Sequence, residues 1–219
     1  MVGTMAKESI KAVLLDYGGV IAEEGFQNGL RAMAREQGLD TDTMMNVARS
    51  AVYDSGFVLG WGTEQAFWAS MRQGAGLRGS DAALTRRVLE GFVLRPWMME
   101  RVRQWRARGL VTGILSDQMH WLDWLDERDR FFNAFDHVFN SYHMGKGKRD
   151  PALFPEIAGR LALAPGEILF VDDVENNVER ARAAGWDWRA RSTWPEKASV
   201  SMQRYPSPAK RQRCVRRRR

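Results

Sequence analysis

Ala12-Val13-Leu14-Leu15-Asp16-Tyr17-Gly18-Gly19-Val20 decides how the rest of the chain is read. Four apolar residues with no polar alternate suit a strand covered on both faces, as at the centre of a parallel sheet. The run stops on a carboxylate, and two glycines follow it. Glycines at such a place let backbone N–H groups close on an anion with no β-carbon in the way.

Two further apolar runs behave alike. Leu110 to Leu115 leads into Ser116-Asp117, and Ile168 to Val171 leads into Asp172-Asp173, with Asn177 one helical turn on. Phe135 to Phe139 is a fourth strand candidate. Between them lie helical stretches: Pro96 to Gly109 with Val102 and Trp105 on its apolar face, Gln118 to Glu127, Pro151 to Leu163, and Val174 to Ala184. Proline suits the first helical position, and glycine suits the stop. Strands alternating with helices predict parallel βαβ units, whose ligands bind beyond the carboxyl ends of the strands. Asp16, Ser116 and Asp172 each stand at such an end.

From Phe26 to Leu94 only the helical period appears, over 26–37, 42–54, 64–73 and 80–90. Thr63 is the expected N-cap of the helix carrying Phe67, Trp68 and Met71. The expected fold is therefore α/β: a Rossmann-like parallel sheet core with an inserted all-helical cap. The core takes residues 1–21 and 95–200, the cap 22–94, and a basic tail of disordered character 201–219. Trp61, Trp68, Trp97, Trp105, Trp121 and Trp124 are expected to fill the core and the seam between core and cap.

The tail also explains the charge. Of 33 basic residues, seven fall in the last ten positions, and without them 26 face 27 acidic residues. The net charge of +6 thus belongs to the tail. No aromatic or recognition motif accompanies it, so a nucleic-acid partner is not expected. The apolar runs are strand-sized, which predicts no membrane span. Met1 to Lys11 lacks the apolar stretch of a secretory signal. Cys214 is the sole cysteine, which rules out an internal disulfide or a thiolate zinc cluster and suits a cytoplasmic location. His120, His137 and His143 lack metal-ligand spacing, although His120 falls near Ser116.

In order along the chain, these segments resemble the haloacid dehalogenase-like superfamily, in its phosphatase-like branch with a helical cap. Asp16-Tyr17-Gly18-Gly19-Val20 is similar to the family's first motif and Gly113-Ile114-Leu115-Ser116 to the second. Ser141 to Pro151, with Lys148 before Asp150-Pro151, resembles the third. Phe170-Val171-Asp172-Asp173 with Asn177 resembles the fourth. Gly60 to Trp68 is similar to a recurrent cap stretch.

The resemblance implies roles. Asp16 would be the nucleophile, a carboxylate that attacks phosphorus and is regenerated by water. Ser116 would bond a phosphate oxygen, though it could equally cap the helix after it. Lys148 would offset charge on the nucleophile and the transferring group, with Lys146 close by in sequence. Tyr17, Gly18, Gly19 and Asp117 would complete the substrate site. Asp16, the Gly18 carbonyl, Asp172, Asp173 and Asn177 would hold Mg²⁺, with Asp173 the direct ligand of the acidic pair. Adjacent carboxylates repel unless a cation sits between them, although such a pair can also serve as a helix N-cap.

Three departures qualify the match. Active phosphatases of the family carry an aspartate as general acid and base two residues after the nucleophile, where this chain has Gly18. Asp117 stands where relatives often have asparagine, and it is a candidate proton donor to the leaving group. Arg149 replaces the usual proline after Lys148. The function implied is Mg²⁺-dependent hydrolysis of a small phosphomonoester through phospho-Asp16. The missing acid points to a good leaving group, such as that of a sugar 1-phosphate. One rival is a dehalogenase-like hydrolase in which Asp16 attacks carbon. Another is a non-catalytic member that binds a phosphorylated ligand or a protein partner.

Overall fold

The computed structural model describes residues 9–190. The basic tail, Cys214 and the last ten residues assigned to the core lie outside the described residues.

Five parallel strands make one sheet: β1 (Ala12–Leu15), β2 (Val111–Ser116), β3 (His137–Asn140), β4 (Ile168–Asp172) and β5 (Asp187–Ala190). Their order is β3-β2-β1-β4-β5, so β1 is central. Leu15 pairs with Ile114 on one side and Val171 on the other. This register brings the residues at the ends of β1, β2 and β4 to one edge.

Alternation of side chains across β1 divides the core in two. Val13 and Leu15 join Ile114, Leu169 and Val171 on one face. Ala12 and Leu14 join Leu115, Ile168 and Phe170 on the other. Every β1 side chain is fully covered, as its unbroken apolar run requires.

Between β1 and β2 the chain is helical: α1 (Gly25–Gln37), α2 (Thr41–Asp54), a 3₁₀ turn (Phe57–Leu59), α3 (Glu64–Ala75), α4 (Asp81–Glu90) and α5 (Pro96–Ala107). Thr63 accepts the Ala66 N–H at 3.1 Å as the expected cap of α3. Helix α2 packs on α3 and α1 on α4. The chain leaves β1 and returns through two paired segments. Glu23 N–H donates to Val93 O at 2.8 Å, and Arg95 N–H to Ile21 O at 2.9 Å. Arg95 is buried there, paired with Glu23 and donating to the carbonyls of Gly19 and Val20.

After β2 come α6 (Trp121–Asp129), α7 (Ser141–Met144), α8 (Leu153–Leu161) and α9 (Glu175–Ala183). Helix α6 starts three residues later than its apolar spacing suggests. The short α7 and the edge strand β5 were not anticipated. β5 reads Asp-Trp-Arg-Ala, too short and polar to stand out, and owes its conformation to pairing with β4. Trp68, Trp105 and Trp121 are buried as expected, and Trp97 is partly so. Trp61 and Trp124 are not: they are 75% and 40% exposed. Among the described residues, no helix is long and apolar enough to cross a membrane.

Candidate active site

Asp16 follows the last residue of β1, and its N–H donates to Val171 O at 2.9 Å, continuing the ladder to β4. The carboxylate therefore projects from the sheet edge beside Asp172 and Asp173. One ligand atom from each of these three carboxylates lies within 4.8 Å of the others. Ser116 Oγ donates to Asp16 Oδ1 at 2.7 Å. Ser116 thus serves the site and not the following helix, which starts at Trp121 with His120 as its cap residue.

Lys148 sits in the turn between α7 and α8 and is 1% exposed. Its ammonium bridges Asp16 Oδ1 at 2.8 Å and Asp172 Oδ2 at 2.6 Å. Lys146, the near neighbour in sequence, is turned away to pair with Glu156. Burial works to lower the Lys148 pKa, but the Asp16, Asp172 and Asp117 charges raise it, so the ammonium stays charged.

The two members of the acidic pair differ. Asp172 is fully buried and surrounded by donors. Its Oδ1 accepts Val174 N–H at 2.8 Å, and its Oδ2 accepts Lys148 and the Asn177 amide at 3.1 Å. Asp173 is exposed and faces the cavity at the sheet edge. Asn177 thus braces Asp172. Gly19 explains how Asp173 fits. Its φ is +74°, and a β-carbon there would lie 2.0 Å from Asp173 Oδ2.

One ammonium does not balance three carboxylates. Burial, opposed by the Lys148 charge and aided by the Asp172 and Asp173 charges, pushes the Asp16 carboxyl up to about 7. Desolvation and the Asp172 charge also raise Asp173. A cluster of hard oxygen ligands with excess negative charge suits a divalent ion such as Mg²⁺. Asp16 and Asp173 are the side chains open to it.

The cavity above these groups has a volume of about 120 Å³ and is lined by Asp16, Gly18, Glu24, Ser116, Asp117 and Asp173 among others. The Tyr17 side chain does not reach it. Tyr17 is buried against Phe92 and Phe131, with ring centroids at 5.6 and 4.9 Å. Any contribution of Tyr17 to substrate is confined to its backbone. His120 packs among Phe57, Trp124 and Tyr142.

Asp117 holds the loops together. Its carboxylate accepts Lys148 N–H at 2.9 Å and the Tyr53 hydroxyl at 2.8 Å. Both oxygens therefore receive donors, which suits a brace better than the proton donor expected of it. Tyr53 comes from α2, and the Arg149 guanidinium stacks 3.6 Å above its ring. Two departures from the family pattern, Asp117 and Arg149, thus meet on one residue of the helical insertion. The sequence carries no signal for Tyr53, because nothing in α2 marks which residue reaches Asp117. Glu24 was also missed. It caps α1 by accepting Gln27 N–H at 2.7 Å, and burial, against that bond, pushes its carboxyl up to about 6.

Known proteins share this fold. An HAD-family enzyme, bt-2542 from Bacteroides thetaiotaomicron, in a magnesium complex, superposes with a TM-score of 0.64 at 21% identity, covering 84% of this chain and 93% of that one. L-2-haloacid dehalogenase from Xanthobacter autotrophicus, with chloropropionic acid covalently bound, gives 0.59 at 19% identity over 82% and 76%. Both show the shared fold. Mouse acyl-CoA dehydrogenase family member 10 is 34% identical over 94 residues, which is 41% of this chain and 8% of that protein. Enolase-phosphatase E1 of Serratia proteamaculans is 30% identical over 101 residues, 42% of each. The chain thus spans less than half the length of these curated relatives. The sequence pattern of the haloacid dehalogenase-like hydrolases matches residues 10–185, from just before β1 to the end of α9. With the acidic edge built on that same sheet, the chain belongs to the haloacid dehalogenase-like hydrolases.

Proposed function

We propose that this hydrolase cleaves small phosphomonoesters through a phospho-Asp16 intermediate with Mg²⁺ as cofactor. The observation that carries this reading is the cluster of Asp16, Asp172 and Asp173, in which a single ammonium bridges only the first two. Attack on carbon with loss of halide needs no cation, and a third carboxylate beside the nucleophile would only add repulsion. The kinship with enolase-phosphatases points the same way.

Asp16 attacks phosphorus in line and displaces the alcohol; water then cleaves the acyl phosphate and returns the carboxylate. Ser116 and Lys148 hold Oδ1, which fixes the carboxylate plane during attack. Lys148 also offsets charge gathering on the phosphoryl oxygens. Backbone N–H groups of the Tyr17–Gly19 turn would bind those oxygens. Mg²⁺, held by Asp16, Asp173 and the Gly18 carbonyl, would let one anion approach another. Asp172 and Asn177 position this set. The helices of 22–94 act as a cap that covers the substrate, excludes water and sets specificity. A reducing cytoplasm is the compartment we assign.

The test is a panel of phosphorylated metabolites and 2-haloacids, assayed with Mg²⁺ and with EDTA. Phosphate release that EDTA and Asp16→Asn both abolish is expected. Halide release that persists in EDTA would overturn the reading in favour of the dehalogenase.

A further inference from the structure

We propose that Glu24 serves as the general acid and base of the reaction, in place of the side chain absent at Gly18. This rests on the phosphomonoesterase reading above.

The turn after β1 returns the chain toward the nucleophile. Ala22 N–H donates to Tyr17 O at 2.9 Å, and Gly18 and Ala22 form a bridge. Glu24 therefore lies over the nucleophile loop, although it is eight positions on from Asp16. A β-carbon added at Gly18 would stand 3.5 Å from Glu24 Oε1. The carboxyl thus fills the space that an aspartate at position 18 would enter. It lines the same cavity as Asp16, Ser116 and Asp173. The Phe92 ring lies 3.4 Å from that same point.

Capping alone does not account for this residue. Ser, Thr, Asp and Asn are the favoured N-caps, and a shorter side chain would satisfy Gln27 equally well. The extra length of glutamate lets Oε2 hold the Gln27 N–H while Oε1 reaches toward Gly18. Anchoring one oxygen also fixes the other, as a proton donor within a cavity requires.

The bond between Asp16 Oδ and phosphorus forms as the bond from phosphorus to the ester oxygen breaks. That oxygen leaves with the electron pair and takes the proton of the Glu24 carboxyl, giving an alcohol. The Glu24 carboxylate then accepts a proton from the water that attacks the phospho-Asp16 phosphorus. Inorganic phosphate and free Asp16 result, and Glu24 is protonated again.

Leaving-group dependence tests this in the full-length protein with Mg²⁺ present. p-Nitrophenyl phosphate expels a stable phenolate without help, whereas glycerol phosphate needs a proton. With Glu24→Gln, kcat on glycerol phosphate should fall about 10²- to 10⁴-fold and on p-nitrophenyl phosphate less than about 10-fold. Glu24→Ser keeps a good cap without the carboxyl and should show the same split, which covers the case of a glutamine variant that folds poorly. Equal losses on both substrates, or no loss on either, would overturn the role of Glu24. Activity surviving Asp16→Asn on both substrates would instead overturn the phospho-aspartate reading.

Discussion

Replacing Asp16 by asparagine should make the metal-free protein more stable, and increasingly so as pH rises. The ordinary value for this carboxyl is 3.8, and in the fold burial and the neighbouring carboxylates raise it to about 7. The folded state therefore holds the proton more tightly than the unfolded chain. Its contribution is fully favourable below 3.8 and is lost as pH climbs toward 7. At pH 5 Asp16 is still mostly protonated in the fold; at pH 8 it is ionised against its environment. Integrating over that interval gives a change of about 2–3 kcal/mol in the difference between variant and wild type. The amide keeps oxygen and nitrogen where Oδ1 and Oδ2 were, so Ser116 and Lys148 still have an acceptor, and Lys148 retains Asp172. Glu24 and Asp173 titrate in both proteins and largely cancel. Urea unfolding in EDTA at pH 5, 6, 7 and 8 measures the difference directly. A gap that stays constant across this range, or narrows with pH, would refute the account of the cluster as over-charged. Above pH 7 the Asp16 carboxylate is thus ionised at the expense of the fold's stability.

Two further outcomes follow from single contacts. Gly19→Ala should cost about 1–2 kcal/mol for a left-handed backbone and push Asp173 aside, so the Mg²⁺-induced rise in melting temperature should vanish; a full rise would show that Asp173 does not bind the ion. Tyr53→Phe and Asp117→Asn should each destabilise by about 1–3 kcal/mol and be coupled by at least about 0.5 kcal/mol in a double-mutant cycle; strict additivity in urea unfolding would mean that the hydroxyl contact carries no energy.

Much of this molecule was legible because its signals are local. Ala12 to Leu15 reads as a doubly covered strand, and it is the central one. Thr63 reads as a cap, and its Oγ1 accepts the Ala66 N–H. Elements whose conformation depends on distant partners were not legible. β5 exists because β4 offers it an edge. Trp61 and Trp124 have the composition of core residues, yet they end at the surface, Trp61 in the loop before α3 and Trp124 on α6.

The site divides along the same line. Asp16, Ser116 and the Asp172-Asp173 pair are recognisable in the chain because each closes an apolar strand, whereas Lys148, two residues from Lys146, is singled out only by its resemblance to the family's third motif. Which oxygen of which carboxylate is saturated, and which is open, depends on segments about 100 residues apart meeting at one sheet edge. Asp172 and Asp173 are adjacent in sequence, but pleating turns one inward to Lys148 and the other toward the cavity. Glu24 and Tyr53 carry no motif at all. Glu24 comes beside Asp16 through the turn after β1, and Tyr53 reaches Asp117 from α2; no pattern of nearby residues encodes a contact made through space.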